Sequence, residues 1–243
     1  MFILYLEESV MNAQLKQAYV AFYLRMGNRL RNKGLANPLF ISYDEADETP
    51  ATKKVMVFGK QTVGWQDSFG TTLDQLLAAY DEFYNKKDEQ NMRDCYRTPG
   101  FFWNEFRMME QEFMRRSPDV KLIWNNILKV GGQLGAPQDA LVDLYMPDAA
   151  ELIRKEIEII NPAAVLFMTS PENDRHILSV FPDAQLLQVN YSIDAELLAR
   201  VKSSHLPKKS VRTFHPQEIN TVLERDYEMD KERFREMIVG NIC

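Results

Sequence analysis

Val55-Met56-Val57-Phe58-Gly59-Lys60-Gln61-Thr62-Val63-Gly64-Trp65 decides the fold of this chain. Four apolar residues stop at a glycine and give way to a polar loop, as in a buried strand of a parallel sheet and the loop at its carboxyl edge. Val211-Arg212-Thr213-Phe214-His215-Pro216-Gln217 repeats the pattern near the other end of the chain. Ligands of open α/β sheets bind at that edge, so the two loops are expected to form opposite walls of one pocket.

Working outward, strands are expected at 55–58, 120–124, 163–168, 185–189 and 210–214. Apolar spacings of three to five predict helices at 8–33, 73–85, 101–116, 149–160, up to 181, 195–202, from 216 towards 225, and 230–239. Gly131-Gly132 and Gly135 read as a flexible connection. Strands alternating with helices predict an α/β protein, a three-layer α/β/α fold with a mainly parallel central sheet. The expected organisation is one domain over 1–243, with 1–38 as an N-terminal helical extension.

The 243 residues are 45% hydrophobic and 26% charged, enough for a core without disulfides. Two cysteines, Cys95 and Cys243, exclude a disulfide scaffold and a cysteine zinc site. Met1-Phe2-Ile3-Leu4-Tyr5-Leu6 runs straight into Glu7 and Glu8 with no basic leader, and no run reaches the roughly 20 apolar residues of a membrane span. A cytoplasmic protein without a membrane partner is the expectation. The net charge of -6 counts against broad clamping of nucleic-acid backbone. Locally, Arg200, Lys202, Lys208, Lys209 and Arg212 form an acid-free run leading into His215.

The loops carry the chemistry. Gly59 fits a tight turn or a close backbone approach. Lys60, Gln61 and Thr62 offer polar tips, and Trp65 fills a core pocket or faces a ligand. The first loop lacks the Gly-Lys-Ser/Thr ending of a phosphate-binding loop. His176, His205 and His215 have no metal-site spacing, and the acidic loop 42–50 lacks that of an EF-hand, so neither metal nor cofactor is expected. His215 can stabilise negative charge on a bound base or carbonyl. Asn125 and Asn126 end a strand where a carboxamide can pair with a base edge or hold a turn. Phe101, Phe102, Trp103 and Phe106 supply stacking surfaces or core.

With these motifs the chain resembles the uracil-DNA glycosylase superfamily over roughly residues 39–225. Gly59-Lys60-Gln61-Thr62-Val63 stands at that family's first motif and His215-Pro216 at its second. Asn125 or Asn126 falls where the family reads the base, and Ala-Ala-Val-Leu-Phe-Met at 163–168 resembles its central strand after an Asn-Pro. The resemblance implies that His215 stabilises a leaving uracil-like anion. Gln61 stands at the water-activating carboxylate and can only orient a water, since an amide accepts no proton. Lys60 replaces the family's Gln, Val63 its pocket-blocking aromatic, and Gln217-Glu218 its Ser-Pro.

The expected function is therefore a glycosylase-like protein whose pocket binds a nucleobase, nucleotide or DNA, with N-glycosidic hydrolysis as the activity the resemblance implies. Gly59, Lys60, Trp65 and Asn125 or Asn126 would hold the base, with Lys208, Lys209 and Arg212 on the backbone. Two alternatives are a binding protein that keeps the fold without turnover and a hydrolase of small nucleosides.

Overall fold

The computed structural model describes residues 9–46, 48–227 and 229–243; the start of the chain, where no leader is expected, lies outside them. Ser9 caps the first helix, α1 (Val10–Leu30), its hydroxyl accepting the Asn12 N–H at 3.2 Å. Leu15, Tyr19, Phe22, Met26 and Leu30 form one buried stripe at helical spacing. α1 packs on the long helix α4 (Asp139–Ile160), so the expected extension is part of a helical layer.

Six strands build the central sheet: β2 (Lys53–Gly59), β3 (Val120–Asn126), β5 (Ala164–Met168), β6 (Gln185–Gln188), β7 (Leu198–Lys202) and β8 (Lys209–Thr213). Their spatial order is β3-β2-β5-β8-β7-β6. The first four are mutually parallel, and β7 runs antiparallel to both its neighbours. A separate antiparallel pair joins β1 (Leu35–Pro38) to β4 (Val130–Gly132). The remaining helices are α2 (Leu73–Tyr80), α3 (Phe101–Arg116), α5 (Asp174–Val180), α6 (Pro216–Val222) and α7 (Lys231–Ile242). α1 and α5 pack with α4, α3 packs with α6 and α7, and the sheet lies between helices as a three-layer α/β/α fold.

The pleat sorts side chains between the layers. Asn125, Phe58, Phe167 and Arg212 lie in one row across four parallel strands. This row faces α4 and α5, where Asn125 meets Glu156, Phe167 meets Phe181 and Arg212 meets Asp174. One residue back on β3, Trp124 turns to the other face. There it stacks on Tyr80 (5.7 Å, 8°) and meets Trp103 edge-on (4.8 Å, 71°).

A buried ionic network ties the first face together. Lys129 Nζ lies 2.8 Å from Glu156 Oε1 and donates to Asn125 Oδ1 at 2.9 Å, while Asn125 Nδ2 donates to Glu156 Oε2 at 2.9 Å. All three residues are 0% exposed. Burial pushes the Lys129 ammonium below its ordinary pKa, and the Glu156 carboxylate opposes that shift.

Three expectations are corrected. Residues 195–202 are not a helix: β7 occupies their second half, because Leu198, Ala199 and Arg200 pair with Thr213, Arg212 and Val211. Tertiary pairing here overrides local spacing. Gly131-Gly132 is not a flexible connection but β4, wedged so tightly that a Cβ on Gly131 would fall 1.7 Å from the Thr62 carbonyl oxygen. α4 begins at Asp139, ten residues before the expected start, and runs through Pro147. The proline costs one helical bond, and the burial of Val142, Tyr145 and Met146 upstream carries the helix past it.

Removing one member of the buried pair strands the other charge, at a cost of about 3–5 kcal/mol. Glu156→Leu is therefore expected to lower the urea midpoint sharply, and Lys129→Met/Glu156→Leu to recover much of the loss. A double mutant whose loss is the sum of the single losses would refute the coupling.

Candidate functional site

The chain leaves β2 for β3 on one side of the sheet, and β5 lies on the other side of β2. The carboxyl ends of β2 and β5 thus mark the switch point where α/β sheets bind ligands. A cavity of about 420 Å³ opens beside it, walled by the loop after β2, by His215 after β8, and by aromatic side chains from α3 and β3.

Main-chain hydrogen bonds fix the first wall. Ile127 and Leu128 N–H donate to the Gly59 and Lys60 carbonyls, both at 3.0 Å, and Gly64 N–H donates to Gly132 O at 3.0 Å. Asn37, fully buried, binds the far end of the loop through Gln66 O (2.6 Å), Ser68 O (3.0 Å) and Gly70 N–H (2.9 Å). Gly59 has no room for a side chain: a Cβ would lie 2.6 Å from the Asn126 carboxamide and 2.9 Å from the Phe102 ring.

The opposite wall is strained. Ser170, just after β5, is buried with φ 65° and ψ 155°, a region that favours glycine. Its Oγ accepts the His215 N–H at 2.7 Å and donates to Glu218 Oε2 at 2.6 Å. His215 Nδ1 accepts the Gln217 N–H at 3.3 Å, which places the proton of the neutral ring on Nε2. The imidazole lies 6.0 Å from the Phe102 ring at 23°. Burial holds His215 below the usual imidazole range; Glu218 raises it and Lys60 lowers it.

Six of the sequence-derived residues meet at this cavity: Gly59, Lys60, Gln61, Trp65, Asn126 and His215. Asn125 does not, because the pleat turns it into the Lys129–Glu156 network. Of the two asparagines, only Asn126 can reach an occupant. With Nδ2 donating to the Asn125 carbonyl (2.9 Å) and Oδ1 accepting from Thr62 N–H (3.2 Å), it keeps one donor and one acceptor.

The basic residues part company with the cavity. Arg212 is 3% exposed and holds Asp174 through two bonds of 2.9 and 3.0 Å, so it is a core residue and not a backbone contact. Lys208 and Lys209 lie at the amino end of β8, roughly 20 Å of strand from His215. Lys209 Nζ contacts the Cys243 oxygen.

Sequence reading offered Phe102 and Trp103 as stacking surfaces or core but missed Trp124 and Phe83 in the aromatic floor. Trp124 and Phe83 line the cavity with Phe102 and Trp103, whereas Phe101 is exposed and Phe106 is buried. The aromatic run opening α3 was the available signal, and helical phase picks out its pocket-facing members. Asn37 carried no recognisable pattern.

Buried polar atoms without a hydrogen-bond partner mark the site chemically. Gln61 Oε1, Thr62 Oγ1 and Trp65 Nε1 are three of five among the described residues, and all three sit on this one loop. A larger groove of about 1130 Å³ along α1, α4 and residues 204–207 has none. No protein-family model matches this chain, and no curated protein sequence matches it.

His215 is expected to titrate below 6.5 in an NMR pH series, and Lys60→Met to move its midpoint upward. Because the unfolded state takes up this proton first, His215 stabilises the fold above about pH 6.5, and that contribution is lost as pH falls. A midpoint unmoved by Lys60→Met would place the lysine elsewhere.

Proposed function

We propose that the cavity binds a planar nucleobase, on a scaffold resembling that of uracil-DNA glycosylases. The observation that carries this reading is the conjunction of aromatic faces with three unpartnered polar atoms on the loop after β2. An unsatisfied buried polar group costs about 1–3 kcal/mol, and the edge of a nucleobase supplies donors and acceptors in the same plane as its stacking face. Phe102 and the tryptophans provide that face. Asn126, with one free donor and one free acceptor, suits a base edge. His215 offers an N–H to a carbonyl oxygen of the base.

Binding, more than hydrolysis, is the function this geometry favours. No carboxylate lines the cavity among the described residues. Gln61 can orient a water without deprotonating it, which forgoes the roughly 10²–10⁴-fold that a general base contributes. The distance of Lys208 and Lys209 favours a base, nucleoside or short single strand over a long clamped duplex.

All three tryptophans of the chain, Trp65, Trp103 and Trp124, line this cavity, so intrinsic fluorescence reports its occupant directly. Titration with uracil, hypoxanthine and xanthine is expected to quench it saturably. Phe102→Ala is expected to weaken binding by tenfold or more, in line with about 1–3 kcal/mol per stacked base. No saturable change with any base would remove the proposal. In an alkali-cleavage assay on uracil-containing oligonucleotides, Gln61→Asp is expected to exceed the wild type. Equal inactivity of both proteins would dismiss the hydrolytic reading and leave binding.

A further inference from the structure

The two edges of the central sheet are finished differently. At β3, the Tyr84 and Tyr80 hydroxyls donate to the Leu122 and Trp124 carbonyls at 2.8 and 2.7 Å. β6 closes the other end of the strand order, and among the described residues β7 is its only strand partner. Alternate residues of an antiparallel edge strand point both main-chain groups away from the neighbour, so β6 presents open donors and acceptors. Proteins commonly guard such an edge with charge, proline or a bulge. β6 has none of these: it reads Gln-Leu-Leu-Gln and pairs in unbroken register, from Gln185 against Lys202 to Gln188 against Ala199.

The strand is pinned at both ends. Just before it, Asp183 accepts the Ser203 hydroxyl at 2.6 Å and the Ser204 N–H at 2.8 Å. Just after it, Asn190 Oδ1 accepts the Ser192 N–H at 2.9 Å. An edge already held in shape loses little conformational entropy on pairing. Leu187 stands opposite Arg200, whose guanidinium bonds Asn241 on α7, so Leu187 lies on the α7 face of the sheet. It is 44% exposed there.

Charge selects what can meet this edge. Residues 184–193 carry none, in a chain whose net charge is -6. A two-fold axis perpendicular to an antiparallel pair sets one residue opposite itself. Any charge near that axis would face its own copy, which is destabilising. An axis at Leu187 places Leu187 against Leu187, Leu186 against Gln188 and Gln185 against Val189, an apolar centre with neutral flanks. We infer that β6 is a self-pairing edge, through which a second copy of this chain joins the two six-stranded sheets into one across a two-fold axis. The cavity beside β2 and β5 lies outside this contact, so the inference stands apart from the base-binding reading.

The test is sedimentation equilibrium of the full chain over roughly a hundredfold range of concentration. A monomer–dimer equilibrium is expected. Leu187→Lys sets two ammonium groups against each other where two leucines met, and is expected to raise the dimer dissociation constant about tenfold or more. Unchanged circular dichroism certifies the fold of that variant. On a Cys243→Ser background, Leu187→Cys is expected to be joined chain to chain by a short thiol cross-linker, because self-opposed Cβ atoms lie about 4.5–5.5 Å apart. A monomer at every concentration overturns the inference and leaves the edge to a strand of another protein. A dimer that survives Leu187→Lys, or that is not cross-linked at position 187, overturns it by placing the contact elsewhere.

Discussion

The buried pairing of Lys129 with Glu156 is the constraint on which the site depends. A lysine with no solvent exposure is tolerated only when its charge is matched and its donors are used. Glu156 matches the charge from α4, and Asn125 completes the geometry by bonding both partners. The same Asn125 oxygen accepts the Asn126 N–H at 2.8 Å. The network therefore fixes the end of β3 and the turn into β4. That turn supplies the amides that hold the Gly59 and Lys60 carbonyls. A polar network on one face of the sheet thus sets the position of a cavity wall on the other.

The layered fold was legible because buried parallel strands are short apolar runs with abrupt ends. The runs at Val55, Val120, Ala163 and Val211 all became parallel strands in one sheet. What escaped was structure whose cause is distant in sequence. β7 is a strand because β8 lies beside it, and nothing within 195–202 records that neighbour. β4 looks like a hinge in sequence, since Gly131 and Gly132 lack side chains. In the fold that lack lets backbone meet backbone at Thr62 and Gly135.

The candidate site was legible in part for the same reason. Gly59, Lys60, Gln61, Trp65 and His215 follow strand ends, and a sheet edge gathers whatever follows its strands. Asn125 and Asn126 could not be told apart without the phase of the pleat, which sends adjacent residues to opposite layers. Arg212 was read as a backbone contact because it closes a run of basic residues, although the strand that carries it was expected. Its burial against Asp174 on α5 depends on a contact across 38 positions.

The wedge of Gly131 against Thr62 bears on how an occupant comes and goes. With backbone in contact on both sides, the loop after β2 cannot lift as a lid unless β4 moves with it. The pocket is preformed, so little conformational entropy is lost on association. For an occupant of the kind proposed, the arrival rate would then be governed by diffusion and orientation, and the residence time by the contacts made inside.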